Sequence, residues 1–177
     1  MGRVLMRISW AALLLTMFCL SAGASAGQKV AVFPFDMILQ KSEDDFFTGP
    51  QGPTPEEQRR LELARDELVK LLSADSRFQP IDLSGLKDEI KAAAPLSECN
   101  GCEVDLAAKV AAEIAMTSVI DKISETHLSL NVAIIDVAKS KLLRNASVLI
   151  QGNTDEAWLH GVKWIVKNRL LAEDATR

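Results

Sequence analysis

The residues most able to do chemistry in this sequence are Cys99 and Cys102, which are separated by an asparagine and a glycine. This spacing suits a short disulfide, a redox-active dithiol or half of a metal site. Zinc would need two more soft ligands, and the chain offers only His127 and His160, without a second Cys-x-x-Cys or a His-x-x-x-His pattern. A c-type haem would need a histidine at position 103, which is Glu103. We therefore predict no metal and no cofactor here.

Two uses remain open for the cysteine pair. A helix is predicted to begin near Val104, and a helix N-terminus stabilises a thiolate, which favours redox chemistry. The motif follows a helix end and a loop, however, whereas a thioredoxin-like site is expected to follow a strand. An Asn-Gly turn can equally hold two sulfurs in a structural staple, which stabilises a loop of about four residues by only ~2 kcal/mol. We predict a Cys99–Cys102 disulfide, with a redox-active pair as the alternative.

A second candidate site is the adjacent pair Phe46 and Phe47. Both lie in a long segment, residues 37–54, that is rich in glycine, proline and acidic residues. Connections longer than about 12–15 residues are often functional or disordered. Either the two rings pin a surface loop to the domain, or at least one is exposed and forms a docking element for a partner. The acids at 43–45 lack the spacing of a calcium-binding EF-hand loop, which indicates a solvated acidic loop.

No further residues form a catalytic pattern. The chain contains no Walker loop, no dinucleotide-binding glycine motif and no nucleophile elbow, and neither histidine has a serine or cysteine beside it in a nucleophile pattern. A net charge of −4 gives no electrostatic reason to bind nucleic acid. With 48% hydrophobic and 25% charged residues the composition is that of a globular protein, which excludes disordered, collagen-like and coiled-coil classes.

The first 26 residues have the pattern of a signal peptide. Arg3 and Arg7 precede an apolar run from Trp10 to Leu20, and Ala-Ser-Ala at 24–26 fits the signal peptidase site. The run is shorter than the roughly 20 residues that span a bilayer, so we expect cleavage after Ala26 and no membrane span afterwards. Residues 27–177 are then expected to form one domain in the periplasm or outside the cell.

The remaining pattern predicts an α/β two-layer sandwich, in which helices pack on a mixed β-sheet of about five strands in the order βαβααβββα. A capping box at residues 54–57 starts the first helix. Pro34 is expected to end the first strand, because proline cannot donate to a central ladder. The predicted strands cover residues 29–33, 77–81, 118–124, 127–136 and 141–151, and the predicted helices cover 54–72, 83–93, 104–115 and a last segment from 153.

The sequence resembles two kinds of known protein. The run from Val30 to Phe35, the strand at 78–81 and the three late strands resemble the TolB amino-terminal and curli-assembly CsgG-like α/β domains. Over nearly all of the mature chain, residues 99–103, the strand with Asp136 and residues 152–162 are similar to an uncharacterised family of predicted secreted bacterial proteins. Those relatives tend to place a glycine in the turn at 136–140, which has none here, and this leaves the hairpin geometry open. The resemblance implies a fold and a compartment and supplies no catalytic residue.

Together these patterns predict an exported, non-catalytic binding or accessory module that acts on an unidentified periplasmic protein or small ligand. The alternative is a thiol-disulfide oxidoreductase or redox sensor that uses Cys99 and Cys102.

Overall fold

The computed structural model describes residues 27–39 and 52–172. The predicted signal peptide and the pair Phe46 and Phe47 therefore lie outside the described residues. The described part contains a five-stranded sheet in the order β2-β1-β3-β4-β5, in which β1 is parallel to β2 and β3 while β3, β4 and β5 form an antiparallel meander. The elements are β1 (Gln28–Leu39), α1 (Pro55–Ser73), β2 (Phe78–Pro80), α2 (Lys87–Ala93), α3 (Cys102–Lys109), β3 (Ile114–Lys122), β4 (His127–Asp136), β5 (Lys141–Gln151) and α4 (Asp155–Ile165). The predicted α/β class, mixed sheet and element order are confirmed.

Helices α1 and α4 cover one face of the sheet, which we call the front face. The capping box predicted for α1 is present, because Thr54 Oγ1 accepts from the Glu57 amide at 3.2 Å and Glu57 Oε2 accepts from the Thr54 amide at 2.9 Å. Apolar residues at helical spacing on α1 meet alternate residues of the strands, as an amphipathic helix on a sheet requires. This core includes Val30, Val32, Leu61, Leu68, Met116, Leu130, Trp158 and Ile165.

Short elements cover part of the opposite face, the back face. Ala31 and Phe33 point there from β1 and Ala115 from β3, and all three are fully buried against α2, α3 and the 3₁₀ turns Ser84–Leu86 and Leu96–Glu98. This second core adds a partial third layer to the sandwich. On the back face of β4 and β5, Ile135 packs against this second core, whereas Leu142 and Leu149 are more than half exposed.

Strand β1 does not end at Pro34, which corrects the expectation from the sequence. Between Val32 and Phe35 the strand advances three residues while β3 advances two, so Pro34 lies in a β-bulge. A bulge tolerates a residue that cannot donate to the ladder. The carbonyl oxygen of Val32, at the start of the bulge, accepts from Arg65 Nε at 3.2 Å. Pairing with β3 then resumes as far as Leu39.

The alanine-rich helix is also shorter than predicted. Helix α3 ends at Lys109 instead of Ala115, Ala111 takes a positive φ of 53°, and β3 begins at Ile114, four residues before the predicted start. Ala115 belongs to the sheet, where it pairs with Ala31 of β1. Long-range pairing with the buried parallel strand outweighs the helical propensity of alanine.

Candidate binding groove beside the disulfide

The structure joins Cys99 and Cys102 in a disulfide at the start of α3, with a Cα–Cα distance of 5.6 Å. The two intervening residues make a tight reversal, because Asn100 has a φ of 52° and Gly101 a φ of 110°. Asparagine and glycine are the residues that enter this left-handed region most readily. Cys102 is the first residue of α3.

Both cysteines are half-buried and pack against the core of the back face. The disulfide therefore anchors the loop that leads into α3 to the layer formed by Leu96, Leu106 and Ala107. The geometry is compatible with a staple, and the choice between a staple and a redox-active pair stays a prediction.

Glu103 is the charged neighbour of the disulfide. Its Oε2 accepts from the Gly101 amide at 3.2 Å and lies 3.4 Å from Cys99 Sγ, while the carbonyl oxygen of Leu96 lies 3.1 Å from the same sulfur. A negative carboxylate disfavours a thiolate beside it, whereas the N-terminus of α3 favours one at Cys102. After reduction, these two influences would oppose each other at the two sulfurs.

The ligand atoms of Cys99, Cys102 and Glu103 lie within 4.8 Å of one another, which is the one such grouping in residues 27–39 and 52–172. A metal prefers thiolate sulfur, and a disulfide offers none. His127 and His160 are exposed and neither lines this region, so the described structure supplies no histidine as a further ligand.

A groove with a volume of about 520 Å³ opens beside the disulfide loop. We call it the disulfide groove; it is lined by Asn100, Gly101, Glu103, Val104, Asp105, Ile135, Ser140 and Leu142. Within the described part of the chain, neither Glu103 nor Asp105 forms an ion pair, and Leu142 is 52% exposed. The groove thus combines apolar side chains with two carboxylates and contains no basic lining residue.

The sequence predicted the disulfide that borders this groove, but it predicted neither the groove nor the side formed by the β4–β5 hairpin. The available signal was Leu142-Leu143, two adjacent leucines that break the alternation of β5. The structure explains them by a second bulge, because Ile134 pairs with Arg144 whereas Ile135 pairs with Leu142, which leaves Leu143 as the extra residue. Two adjacent leucines are exposed as a result.

A buried polar network occupies the opposite end of the sheet. Glu57 is 2% exposed, and its Oε1 accepts from Lys122 Nζ at 2.8 Å and from Asn153 Nδ2 at 3.0 Å. Burial alone would raise the pKa of Glu57, but the hydrogen bonds from Lys122, Thr54 and Asn153 outweigh it and lower the pKa to about 2. Asn153 Oδ1 in turn accepts from Trp158 Nε1 at 3.0 Å. The network is structural, since it joins α1, β3 and the start of α4.

These features define an α/β domain with a five-stranded mixed sheet, helices on both faces and an open groove beside a disulfide. The chain belongs to the family whose model is DUF3280, described as "Protein of unknown function (DUF2380)", which matches residues 28–170. The expected membership of an uncharacterised family is confirmed. Comparison with curated proteins finds no match.

Solved structures are similar to this chain at low sequence identity. Lipoprotein GNA1162 from Neisseria meningitidis is 13% identical, with a TM-score of 0.49 over 80% of this chain and 95% of that one. The PelC dodecamer from Paraburkholderia phytofirmans is 12% identical, with a TM-score of 0.48 over 80% of this chain and 86% of that one. TolB from Acinetobacter baumannii is 13% identical, with a TM-score of 0.45 over 82% of this chain and 28% of that one. These likenesses concern the fold alone.

None of the helices in the described residues has the length and apolar character needed to cross a bilayer.

Proposed function

We propose that this protein is an exported α/β module that binds a partner protein without catalysing a reaction, and that the partner occupies the disulfide groove. Export rests on the arginines, apolar run and small residues of positions 1–26, with cleavage after Ala26. The observation that carries the binding function is the groove itself, where the exposed Leu142 faces solvent beside two carboxylates that have no ion-pair partner in residues 27–39 and 52–172.

The negative charge of the groove indicates that its partner carries basic side chains. Glu103 and Asp105 are the charged residues of the lining, and the nearby Lys139 is paired with Asp136 at 3.2 Å. Val104, Ile135 and Leu142 supply apolar surface. An extended partner segment with alternating basic and apolar side chains complements both features, because opposite charges across an interface favour association and specificity.

Peptide binding tests this proposal. The probe is a fluorescein-labelled decapeptide that alternates lysine with valine and leucine, and its partner probe carries glutamate in place of lysine. We expect the purified protein to bind the basic peptide at least about tenfold more tightly than the acidic one, measured by fluorescence anisotropy at low ionic strength. The double substitution Glu103→Gln with Asp105→Asn should remove that preference.

The matched control removes two negative charges elsewhere. Glu62→Gln with Asp66→Asn changes two exposed carboxylates on α1, which packs on the other face of the sheet. This control variant should retain the preference for the basic peptide. The variant Leu142→Ser should bind both peptides more weakly. Equal loss in the control, equal binding of both peptides, or binding of neither would contradict the proposal.

A redox function is the second candidate, and the observation that favours it is the position of Cys102 at the first residue of α3. A helix N-terminus stabilises a thiolate at that position. The carboxylate of Glu103 next to Cys99 Sγ acts against it. We rank a structural disulfide first for this reason.

Phe46 and Phe47 remain a proposed docking element in addition to the groove. Replacing both with serine should leave the thermal midpoint nearly unchanged and weaken binding of a partner. If both rings are packed, the same change would cost ~3–5 kcal/mol per buried phenylalanine and lower the midpoint visibly. A large drop in the thermal midpoint would therefore exclude the docking role.

A further inference from the structure

Strand β5 is an open edge of the sheet. In the described structure it is the last strand of the order β2-β1-β3-β4-β5 and pairs with β4 alone. It runs for 11 residues, from Lys141 to Gln151. A long edge strand presents unpaired N–H and C=O groups that can pair with another chain.

The backbone orientation shows which residues face the open edge. The Gly152 amide donates to the Thr126 carbonyl at 2.7 Å, and residues 128 and 150 form the next pair in register. Hydrogen-bonded pairs recur every second residue in an antiparallel ladder. The even-numbered residues from 144 to 150 therefore direct their backbone groups towards β4, and Asn145, Ser147 and Leu149 direct theirs outward.

Natural edge strands are protected by charges, prolines, bulges or a covering element. The first part of β5 carries Lys141, Arg144 and the bulge at Leu143, whereas the part that follows lacks these devices. Residues 145–150 contain neither a charge nor a proline, and the back-face residues of β4 and β5 around them are uncharged. Leu143 is 53% exposed and Leu149 is 66% exposed, and both lie on this strand.

We propose that β5 pairs with β5 of a second copy of this chain in antiparallel orientation, with the two-fold axis at Ala146. This register places Asn145 of each copy opposite Ser147 of the other, and Leu149 opposite the bulge that carries the exposed Leu142 and Leu143. Residues 149–152 are uncharged, so Lys141 of one copy meets no like charge on the other. Cross-strand apolar pairs stabilise such a ladder, whereas opposed like charges destabilise it.

Other registers fit the same strand less well. A two-fold axis at Ser147 would place Leu149 opposite Asn145, which leaves this leucine opposite an amide. Both axes pair residues whose backbone groups point outward, so the apolar contact of Leu149 distinguishes them. The pattern is therefore self-complementary about Ala146, which favours a second copy over an unrelated partner strand.

The first experiment measures the mass of the exported protein, purified after signal-peptide cleavage, by analytical ultracentrifugation. We expect a dimer with a dissociation constant at or below about 10 µM. Ser147→Pro removes an outward N–H without touching the bonds to β4, and Leu149→Lys places charge at the contact. Each should weaken dimerisation at least about tenfold while the circular dichroism spectrum stays unchanged.

A matched control places the same charge on another exposed apolar residue. Ile123 is 50% exposed in the turn between β3 and β4, so Ile123→Lys should leave the dimer intact. A monomeric unsubstituted protein at ~0.1 mM, or equal weakening by Ile123→Lys and Leu149→Lys, would overturn the proposal. The substitutions spare every residue of the disulfide groove, so failure here is distinguishable from failure of peptide binding.

Disulfide cross-linking tests the register. Cα atoms of a hydrogen-bonded antiparallel pair lie about 5.5 Å apart, within the range of a disulfide. The double variant Asn145→Cys with Ser147→Cys should form a covalent dimer under mild oxidation, and neither single variant should. A covalent dimer of the Ser147→Cys variant alone would place the axis at position 147, and no cross-link in the double variant would exclude the pairing.

Discussion

The two ends of the sheet differ in how their carboxylates are placed: one end buries and pairs its carboxylate, and the other leaves two unpaired beside an open groove. At the end where β3 finishes, Glu57 is buried and accepts hydrogen bonds from Lys122, Asn153 and the Thr54 amide. At the other end, Glu103 and Asp105 line an open groove and have no ion-pair partner among the described residues. A buried charge persists only when it is paired and hydrogen-bonded. The first end is therefore a structural joint, and the second retains charges that a partner can neutralise.

The largest predicted effect comes from removing the ion pair between Glu57 and Lys122. Lys122→Met should lower the free energy of unfolding by ~3–5 kcal/mol, because it leaves the Glu57 carboxylate buried without its cation. Urea denaturation measures the loss. Adding Glu57→Gln to the same variant should restore part of it, since the unpaired charge is gone. A decrease in the free energy of unfolding below about 1 kcal/mol would show that the network does not hold these elements together.

The free energy of unfolding should also decrease as the pH falls, because Glu57 becomes protonated. The pKa of Glu57 is lowered from 4.5 to about 2, so the unfolded chain takes up its proton first as the pH falls. The contribution of Glu57 is complete above pH 4.5 and is lost as the pH falls through 4.5 towards 2. We expect ~2–3 kcal/mol to disappear over this range.

Urea titrations at several pH values measure this slope. Glu57→Gln should flatten it. An identical slope in the protein and in Glu57→Gln would assign the acid sensitivity to other carboxylates, such as Asp75, whose pKa is lowered to about 2 by hydrogen bonds from Arg77.

The disulfide gives a smaller predicted effect at the groove end. Cys99→Ser with Cys102→Ser should lower the free energy of unfolding by ~2 kcal/mol, as the short closed loop implies. The same double variant should also bind the basic peptide more weakly, because the loop with Asn100 and Gly101 borders the groove. Both effects are measured on one purified variant.

The redox alternative is tested on the unsubstituted protein. A structural disulfide should have a reduction potential below about −300 mV and should not support insulin reduction. A potential above about −230 mV, with insulin turnover that is lost in Cys99→Ser, would assign the pair to thiol-disulfide exchange.

The sequence predicted the elements whose signals are local. The alternation of apolar and polar residues located β4 at His127–Asp136, and the Thr54–Glu57 capping box located the start of α1. Both signals depend on residues within a few positions of one another. The Asn-Gly turn between the cysteines belongs to the same group.

Signals that depend on distant partners were missed. The bulge at Pro34 exists because of the register between β1 and β3, and Ala115 joins a strand because Ala31 lies opposite. For the same reason the groove was not predicted, since its lining comes from the disulfide loop, α3 and the β4–β5 hairpin. A local sequence pattern cannot predict that three separate segments lie next to one another in the fold.

The smallest predicted effect concerns the hairpin turn that borders the groove. Ser140 takes a positive φ of 49° where related proteins were expected to carry a glycine, and Asp136 Oδ1 accepts from the Lys139 amide at 2.9 Å to support the turn. A side chain in the left-handed region costs ~1–2 kcal/mol, which glycine avoids at some expense in unfolded-state entropy. Ser140→Gly should therefore raise the free energy of unfolding by ~0.5 kcal/mol in urea denaturation. Ala138→Gly is the matched control, because Ala138 has no positive φ in the same turn, and it should lower stability. Destabilisation by Ser140→Gly would show that the serine side chain stabilises this turn by more than its backbone conformation costs.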